Sequence, residues 1–435
     1  MKPGQALSEA STERLRVGWI RTPLGVAAAV GGAVCAGLAA SATGEDAANA
    51  ALGVVMLFML AVALLGPLVA RACAALFGLP LRTAGASANL AAANSRTNAR
   101  RLASAITPIV LAMAFSSVLV FMHTSEDRVA SDQQKAGITA DHIVTGDAGL
   151  APDAVRQAAQ TSGVTSAVGR LKTSVLVPAG SGGDRRLEPA SAQGVTGTAR
   201  DLAHVQDLDV QDGALTLRPG QIALDANLAR TAHVSVGDRL EIRLPDGTKT
   251  APEVAATYGR GLGLSQVTLP GADLAGHVTA SFGTELWTKG GTPHSLAPLG
   301  TVLDRGDHTT ARSLDRELNA WANTVMAAVL GGFAAVNTLV MTVLDRRREL
   351  GTLRLIGSTR RQVMRMIRWE ALLVALAGIG LGTGIAVATL VPMMNGLTGR
   401  SPNIPPLVYG SFAGSVLVLG PAATALPARA ALRRP

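Results

Sequence analysis

Eight arginines stand between Asp345 and Glu370, in a run set between two strongly apolar segments. Charge at this density cannot lie in hydrocarbon, so the run is a hinge between two membrane spans, and its chemistry is docking rather than bond making. Leu350, Leu353 and Ile356 recur at three-residue spacing and give a short helix one apolar edge, which Gly357 ends by supplying a left-handed residue. Thr359 with Gln362 three residues on matches a capping box that restarts a helix. In that second helix Arg361, Arg365 and Arg368 share one face while Val363, Met364, Met366 and Ile367 cover the other. It lies along the headgroups and enters the bilayer at Trp369. Arg346, Arg347 and Arg348 serve topology, docking or both.

Other chemistries have no support in the residues. A phosphate-binding loop needs Gly-Lys, and none of the five lysines follows a glycine. Six of seven histidines fall within residues 124–318, none at ligand spacing. Cys35 and Cys73, the two cysteines, both lie in apolar stretches, which leaves no disulfide framework and no zinc spacing. No Ser, His and Asp set has a local hydrolase signature. The expectation is a non-catalytic chain with no metal and no cofactor of its own.

The elements that must carry the hinge follow from composition. With 48% hydrophobic and only 16% charged residues, the chain is too apolar for an ordinary soluble protein. Six stretches can cross about 30 Å of hydrocarbon: 17–42, 50–77, 103–122, 321–344, 371–393 and 407–426. Pro108 and Pro421 sit inside the third and sixth. The formal charge of +9 is unevenly placed: residues 124–318 hold 18 Lys and Arg against 23 Asp and Glu, so the basic excess belongs to the membrane segments and not to a nucleic-acid-binding surface. Arg71, Arg82, Arg96, Arg100 and Arg101 mark one cytoplasmic loop, the central run another and Arg429, Arg433 and Arg434 the tail, whereas Glu45 and Asp46 mark an outside turn. Both ends are expected in the cytoplasm and the long loop outside.

The expected architecture is therefore an α-helical membrane protein of the cell membrane, with about six transmembrane helices and an inserted mixed α/β extracytoplasmic domain. Residues 1–16 form a cytoplasmic segment, 17–80 a transmembrane hairpin, 81–123 an amphipathic surface helix with the third span, 124–318 the outside domain and 319–435 the last three spans with a coupling helix at 349–357. The first apolar stretch is too long for a signal-peptide core and reads as a true span. In the outside domain, 142–145, 171–177, 221–224, 239–244 and 281–287 read as strands, the fourth closed by a Pro245-Asp-Gly turn. Segments 151–160 and 225–231 read as helices, with Pro152 and Asp153 near the start of the first. Asn337 is interhelical glue within its span, and Gly378, Gly380, Gly382 and Gly384 form overlapping small-xxx-small pairs for close helix packing. Glu370 sits where it can pair with Arg361 or Arg368 or reach the interface.

The stretch Asn337-Thr-Leu-Val-Met-Thr-Val-Leu-Asp-Arg-Arg-Arg-Glu-Leu-Gly-Thr-Leu-Arg-Leu-Ile-Gly-Ser-Thr-Arg-Arg-Gln-Val resembles the signature of FtsX-like permease domains of ABC transporters, the family that includes the MacB and lipoprotein-releasing permeases. Gly220-Gln-Ile-Ala-Leu-Asp-Ala-Asn-Leu-Ala-Arg and Val236-Gly-Asp-Arg-Leu-Glu-Ile resemble the MacB-type extracytoplasmic domain. The resemblance implies a subunit driven by a separate cytoplasmic ABC ATPase that binds the ATP. Glu349, Leu350, Gly351, Leu353, Arg354, Leu355, Ile356 and Gly357 would form the coupling helix seated on it. Export and mechanical transmission both fit. A membrane-anchored sensor that instructs a cell-wall hydrolase or a kinase is the alternative. The added hairpin resembles the second half of ten-span actinobacterial permeases, which implies either a homodimer or pairing with a second permease half, in contact with membrane lipid and not with nucleic acid.

Overall fold

The computed structural model describes residues 20–41, 45–76, 99–179, 186–216, 218–278, 283–310, 360–398 and 400–431, with scattered positions between 318 and 329. The segment 345–359, Asn337, most of the fourth expected span and the surface helix expected at 81–98 lie outside the described residues.

Among the described residues five long helices make the apolar part: α1 (Arg21–Ser41), α2 (Glu45–Leu76), α3 (Ala99–Gly137), α7 (Arg360–Thr398) and α8 (Pro406–Ala431). Among the described residues, α1, α2, α3 and α7 are long and apolar enough to cross a membrane, while the apolar part of α8 is shorter, Pro406–Leu419. Prolines at 67, 108 and 392 are absorbed inside these helices. Pro67 lacks the amide that would pair with the Ala63 carbonyl. Arg21 supplies the missing donor, reaching Ala63 O at 2.8 Å and Leu64 O at 3.0 Å. The same side chain thus latches the α1–α2 hairpin where Pro67 opened it.

Two apolar clusters hold the bundle. Ile106, Ile109 and Val110 of α3 pack with Val374 and Ala377 of α7 and with Ala70 and Cys73 of α2. Further along α3, Met113, Val120 and Phe121 meet Ala386 and Leu390 of α7 and Val408 and Phe412 of α8. Helix α3 is therefore central, and the lipid-facing stripes of Leu24, Val30 and Leu38 on α1 and Leu52, Met56 and Leu60 on α2 stay exposed.

Between α3 and the last helices the chain forms a mixed sheet, ordered β11-β1-β10-β2-β3-β9-β5-β8-β4, with β6 and β7 off the main path. Its strands are β1 (His142–Leu150), β2 (Val164–Ala179), β3 (Arg186–Thr196), β4 (Val210–Gly213), β5 (Gln221–Asp225), β6 (Ile242–Arg243), β7 (Lys249–Thr250), β8 (Glu253–Tyr258), β9 (Val267–Pro270), β10 (Gly283–Gly290) and β11 (Thr301–Asp304). The spine is the antiparallel β2–β3 pair, in register from Gly169↔Thr196 to Ala179↔Arg186. Helices α4 (Ala154–Gln160) and α5 (Ala199–Val205) pack on β2, and α6 (Ala226–Thr231) packs against β5 and β8.

Three sequence expectations need correction. Helix α3 does not stop near Met122: it runs unbroken to Gly137, because Thr124 to Lys135 contains no breaker and is supported by pairs such as Arg128–Asp132 at 3.9 Å. Glu45 and Asp46 belong to α2 and not to a turn. The strand expected at 239–244 shrinks to Ile242–Arg243. Leu240, Ile242 and Leu244 still alternate inward, so the periodicity reports burial even where the ladder fails.

Candidate functional site: the joint between helical bundle and inserted domain

At 39 residues, α3 is roughly 58 Å long, nearly twice the hydrocarbon thickness. One helix thus begins in the bundle and ends inside the sheet domain, and the contacts along it determine what moves with what.

In the bundle, α3 meets α7 at two glycines. A Cβ on Gly378 would come within 2.9 Å of Ile109 Cβ, and one on Gly382 within 2.7 Å of Met113 Cβ. Only a missing side chain lets the helices come this close. Above this contact the α7–α8 connection clasps the stalk. Asn403 N donates to Ser125 Oγ (2.8 Å), Thr124 Oγ1 donates to Asn403 O (3.0 Å), and Arg400 Nη1 reaches Asp132 Oδ2 (3.2 Å).

At its far end α3 enters a socket made by the loop Gly259-Arg-Gly-Leu-Gly-Leu. Gln133 binds both edges of that loop: its Nε2 donates to Gly259 O at 3.0 Å and its Oε1 accepts from Gly263 N at 2.9 Å. Gly263 must be glycine for this approach, since a Cβ there would lie 2.7 Å from Gln133 Cβ and from Gln134 N. Behind the loop stands Asp225, almost fully buried, whose carboxylate accepts from Gly261 N (3.1 Å) while capping α6 through Asn227 N (2.9 Å) and Leu228 N (3.3 Å). Burial pushes its pKa up, against the downward pull of those three donors. Asp207 shows the opposite balance: the Arg260 guanidinium paired with it holds its carboxyl below the ordinary range. Asp207 N also donates to Gly137 O at 2.8 Å, sealing the helix terminus to the domain.

A buried polar network makes the domain itself stiff. Arg170, 2% exposed, donates to Gln193 Oε1 (2.7 Å) and to Glu285 Oε2 (3.1 Å), and its guanidinium lies 4.1 Å from the Trp287 ring centre. Glu285, 5% exposed, also takes Lys172, Trp287 Nε1 (3.0 Å) and His308 Nε2 (3.3 Å). Burial would raise the Glu285 pKa, but the His308 hydrogen bond, the Arg170 charge and the Trp287 donor outweigh it and hold the carboxyl low. From Gln193 the network continues to Thr268 (2.8 Å) and to Gln206 (3.2 Å), beside the arrival of α3, while His308 lies on the segment by which the chain leaves. The two connections to the bundle are thereby tied through one hydrogen-bonded core.

Arg361, Arg365 and Arg368 are exposed on the first turns of α7 and Glu370 is buried there; none of them reaches the joint. The expected docking residues 346–357 lie outside the described residues. Sequence reasoning missed Gln133, Asp225, Asn403 and the Arg170–Glu285 pair. The alternating glycines at 259, 261 and 263 were the available signal for the socket.

A bundle of apolar helices bearing an α/β domain on one continuous helix defines a multi-helix membrane protein with an inserted domain. Residues 322–435 match the family described as FtsX-like permease C-terminal. The chain is 33% identical over 133 residues to the pyoverdine export ATP-binding/permease protein PvdT of Pseudomonas putida, a stretch that is 30% of this chain and 20% of that protein. It is 34% identical over 116 residues to the macrolide export ATP-binding/permease protein MacB of Shewanella sp., 26% of this chain and 17% of that one. The matches thus span about a fifth of the length of these curated relatives. Among solved structures, the periplasmic region of MacB from Actinobacillus actinomycetemcomitans aligns at TM-score 0.30 and 12% identity, over 41% of this chain and 92% of that one. The extracellular domain of the noncanonic ABC-type transporter YknZ from Gram-positive bacteria aligns at 0.29 and 14%, over 37% and 88%. Residues 322–435 thus form an FtsX-like permease C-terminal domain, and the chain is similar over that part to the PvdT and MacB permease proteins.

Proposed function

We propose that the chain is the membrane subunit of an ABC transporter, moved by ATP hydrolysis in a separate cytoplasmic ATPase and passing that motion to its inserted domain for export or mechanical transmission. The single observation that carries this is the continuity of α3 from the α7 contact at Gly378 to the socket around Gln133. Helix α7 begins at Arg360, inside the arginine-rich elbow between the fourth and fifth expected spans. A push on the elbow reaches α7, is handed to α3 through the glycine contact, and arrives at the sheet domain without crossing a flexible linker. The relatives are named as ATP-binding/permease proteins, which supports an ATPase partner here, with residues 349–357 as its docking helix and the ATP bound on that partner. The chain itself does no chemistry in this reading. The arginine distribution supports cytoplasmic ends and an extracytoplasmic sheet domain. Two copies, or this chain with a second permease half, would enclose the pathway.

Purification with the ATPase tests the docking. Leu353→Asp together with Gly357→Asp is expected to abolish co-purification while the chain stays in the membrane fraction. An undiminished complex overturns the assignment of the elbow.

A further inference from the structure

A cavity of about 410 Å³ opens where the stalk, the sheet domain and the end of α7 meet. It adjoins the joint but no contact of the joint fills it. Its walls take Glu126 and Val129 from α3, Glu188 from β3, Arg230 and Leu262 from the sheet domain and Asn395 from α7. Its depth relative to the bundle follows from the sequence of those helices: Glu126 lies one turn beyond Met122, the last residue of the apolar run of α3 before charged residues begin, and Asn395 directly follows Met394, which closes the apolar run of α7. The cavity therefore sits at headgroup level, beside lipid.

The charges there are mixed. Among the described residues Glu126 pairs with His123 at 3.9 Å, a long contact that leaves most of the carboxylate's acceptor capacity unused. Arg230 lies along its own helix, donating through Nε to Ala226 O (3.2 Å) and through Nη2 to Asn227 Oδ1, and retains three further N–H donors. Asp225 also borders the space, but its carboxylate is already committed to three backbone donors. Two carboxylates and one guanidinium, with Val129 and Leu262 beside them, complement a group that carries one cation and one anion and stays attached to apolar chains. A free inorganic anion would meet two like charges, and a plain cation would meet Arg230.

We propose that this cavity seats the phosphoethanolamine head group of a membrane phospholipid, its phosphate toward Arg230 and its ammonium toward Glu126 and Glu188. The binding does not depend on the ATPase assignment. It makes the joint sensitive to the lipid around it, because one occupant touches stalk, domain and α7 together.

The test uses the full-length chain in detergent, with phosphatidylethanolamine titrated and bound lipid counted by native mass spectrometry. Phosphatidylethanolamine is expected to be retained at least tenfold better than phosphatidylglycerol of the same chains. Glu126→Gln with Arg230→Gln should remove that preference, and Leu262→Trp, which narrows the space without touching a charge, should weaken retention. Equal retention of the two lipids, or a preference that survives all three substitutions, overturns the proposal. Competition by chain-free O-phosphoethanolamine at equal concentration would show a soluble head group to be the occupant and would overturn the lipid. Co-purification with the ATPase should be unchanged in these variants, so failure here and failure of the docking helix are separable.

Discussion

Glu285 is the side chain on which the stiffness of the inserted domain depends most. It is buried against Arg170, Lys172, Trp287 and His308, and removing one partner of such a group leaves uncompensated charge, at a cost of about 3–5 kcal/mol. Glu285→Gln should lower domain stability at neutral pH by that order, read from denaturant unfolding of the full chain. The pH dependence has a definite sign. Its folded pKa is depressed, so its stabilisation is complete above the unfolded value of about 4.3 and is lost as pH falls through the lower folded value. Wild-type protein should therefore lose stability steeply below pH ~4, while Glu285→Gln should show a shallower acid limb. An identical acid limb in both would mean that another carboxylate governs it.

The elements work through close approaches that a single added group would spoil. Gly378 and Gly382 hold α3 against α7 at distances that leave no room for a Cβ. Gly378→Leu should cost on the order of 1–3 kcal/mol through overpacking and lower the thermal midpoint of the detergent-solubilised chain, whereas Gly384→Leu, which faces open space, should not. The socket responds differently. Gln133→Ala removes two hydrogen bonds, worth about 1 kcal/mol each, and should speed amide hydrogen exchange in 259–264 while leaving the bundle unaltered. If exchange in that loop is unchanged, α3 is held by its apolar contacts alone. At the other end Arg21→Ala should loosen the hairpin by taking the donor from the Ala63 carbonyl that Pro67 leaves unpaired.

For the molecule as a whole, α3 makes a rigid connection whose two ends should move together. Spin labels on exposed positions of α7 and of the sheet domain, such as Arg365 and Arg156, should keep their separation while the ATPase partner turns over ATP. Gly263→Val, which prevents the loop from closing on Gln133, should uncouple the two ends and make that separation change during turnover. A separation that stays fixed in Gly263→Val would place the transmission in another connection, such as the segment leaving the domain at His308.

Much of this was readable from the chain alone. Apolar runs marked membrane helices and an inserted domain, because hydrocarbon imposes length and charge rules that act on local sequence, and the motif from Asn337 to Val363 carried the likeness to FtsX-like permease domains. Turn chemistry likewise marked the Pro245-Asp-Gly turn, since it acts over a few residues. Local sequence carried no sign that Gln133 meets Gly259 and Gly263, or that Arg170 pairs with Glu285 across 115 positions. Those contacts join residues far apart in the chain, and only the folded arrangement of helix, loop and sheet brings them within hydrogen-bonding reach.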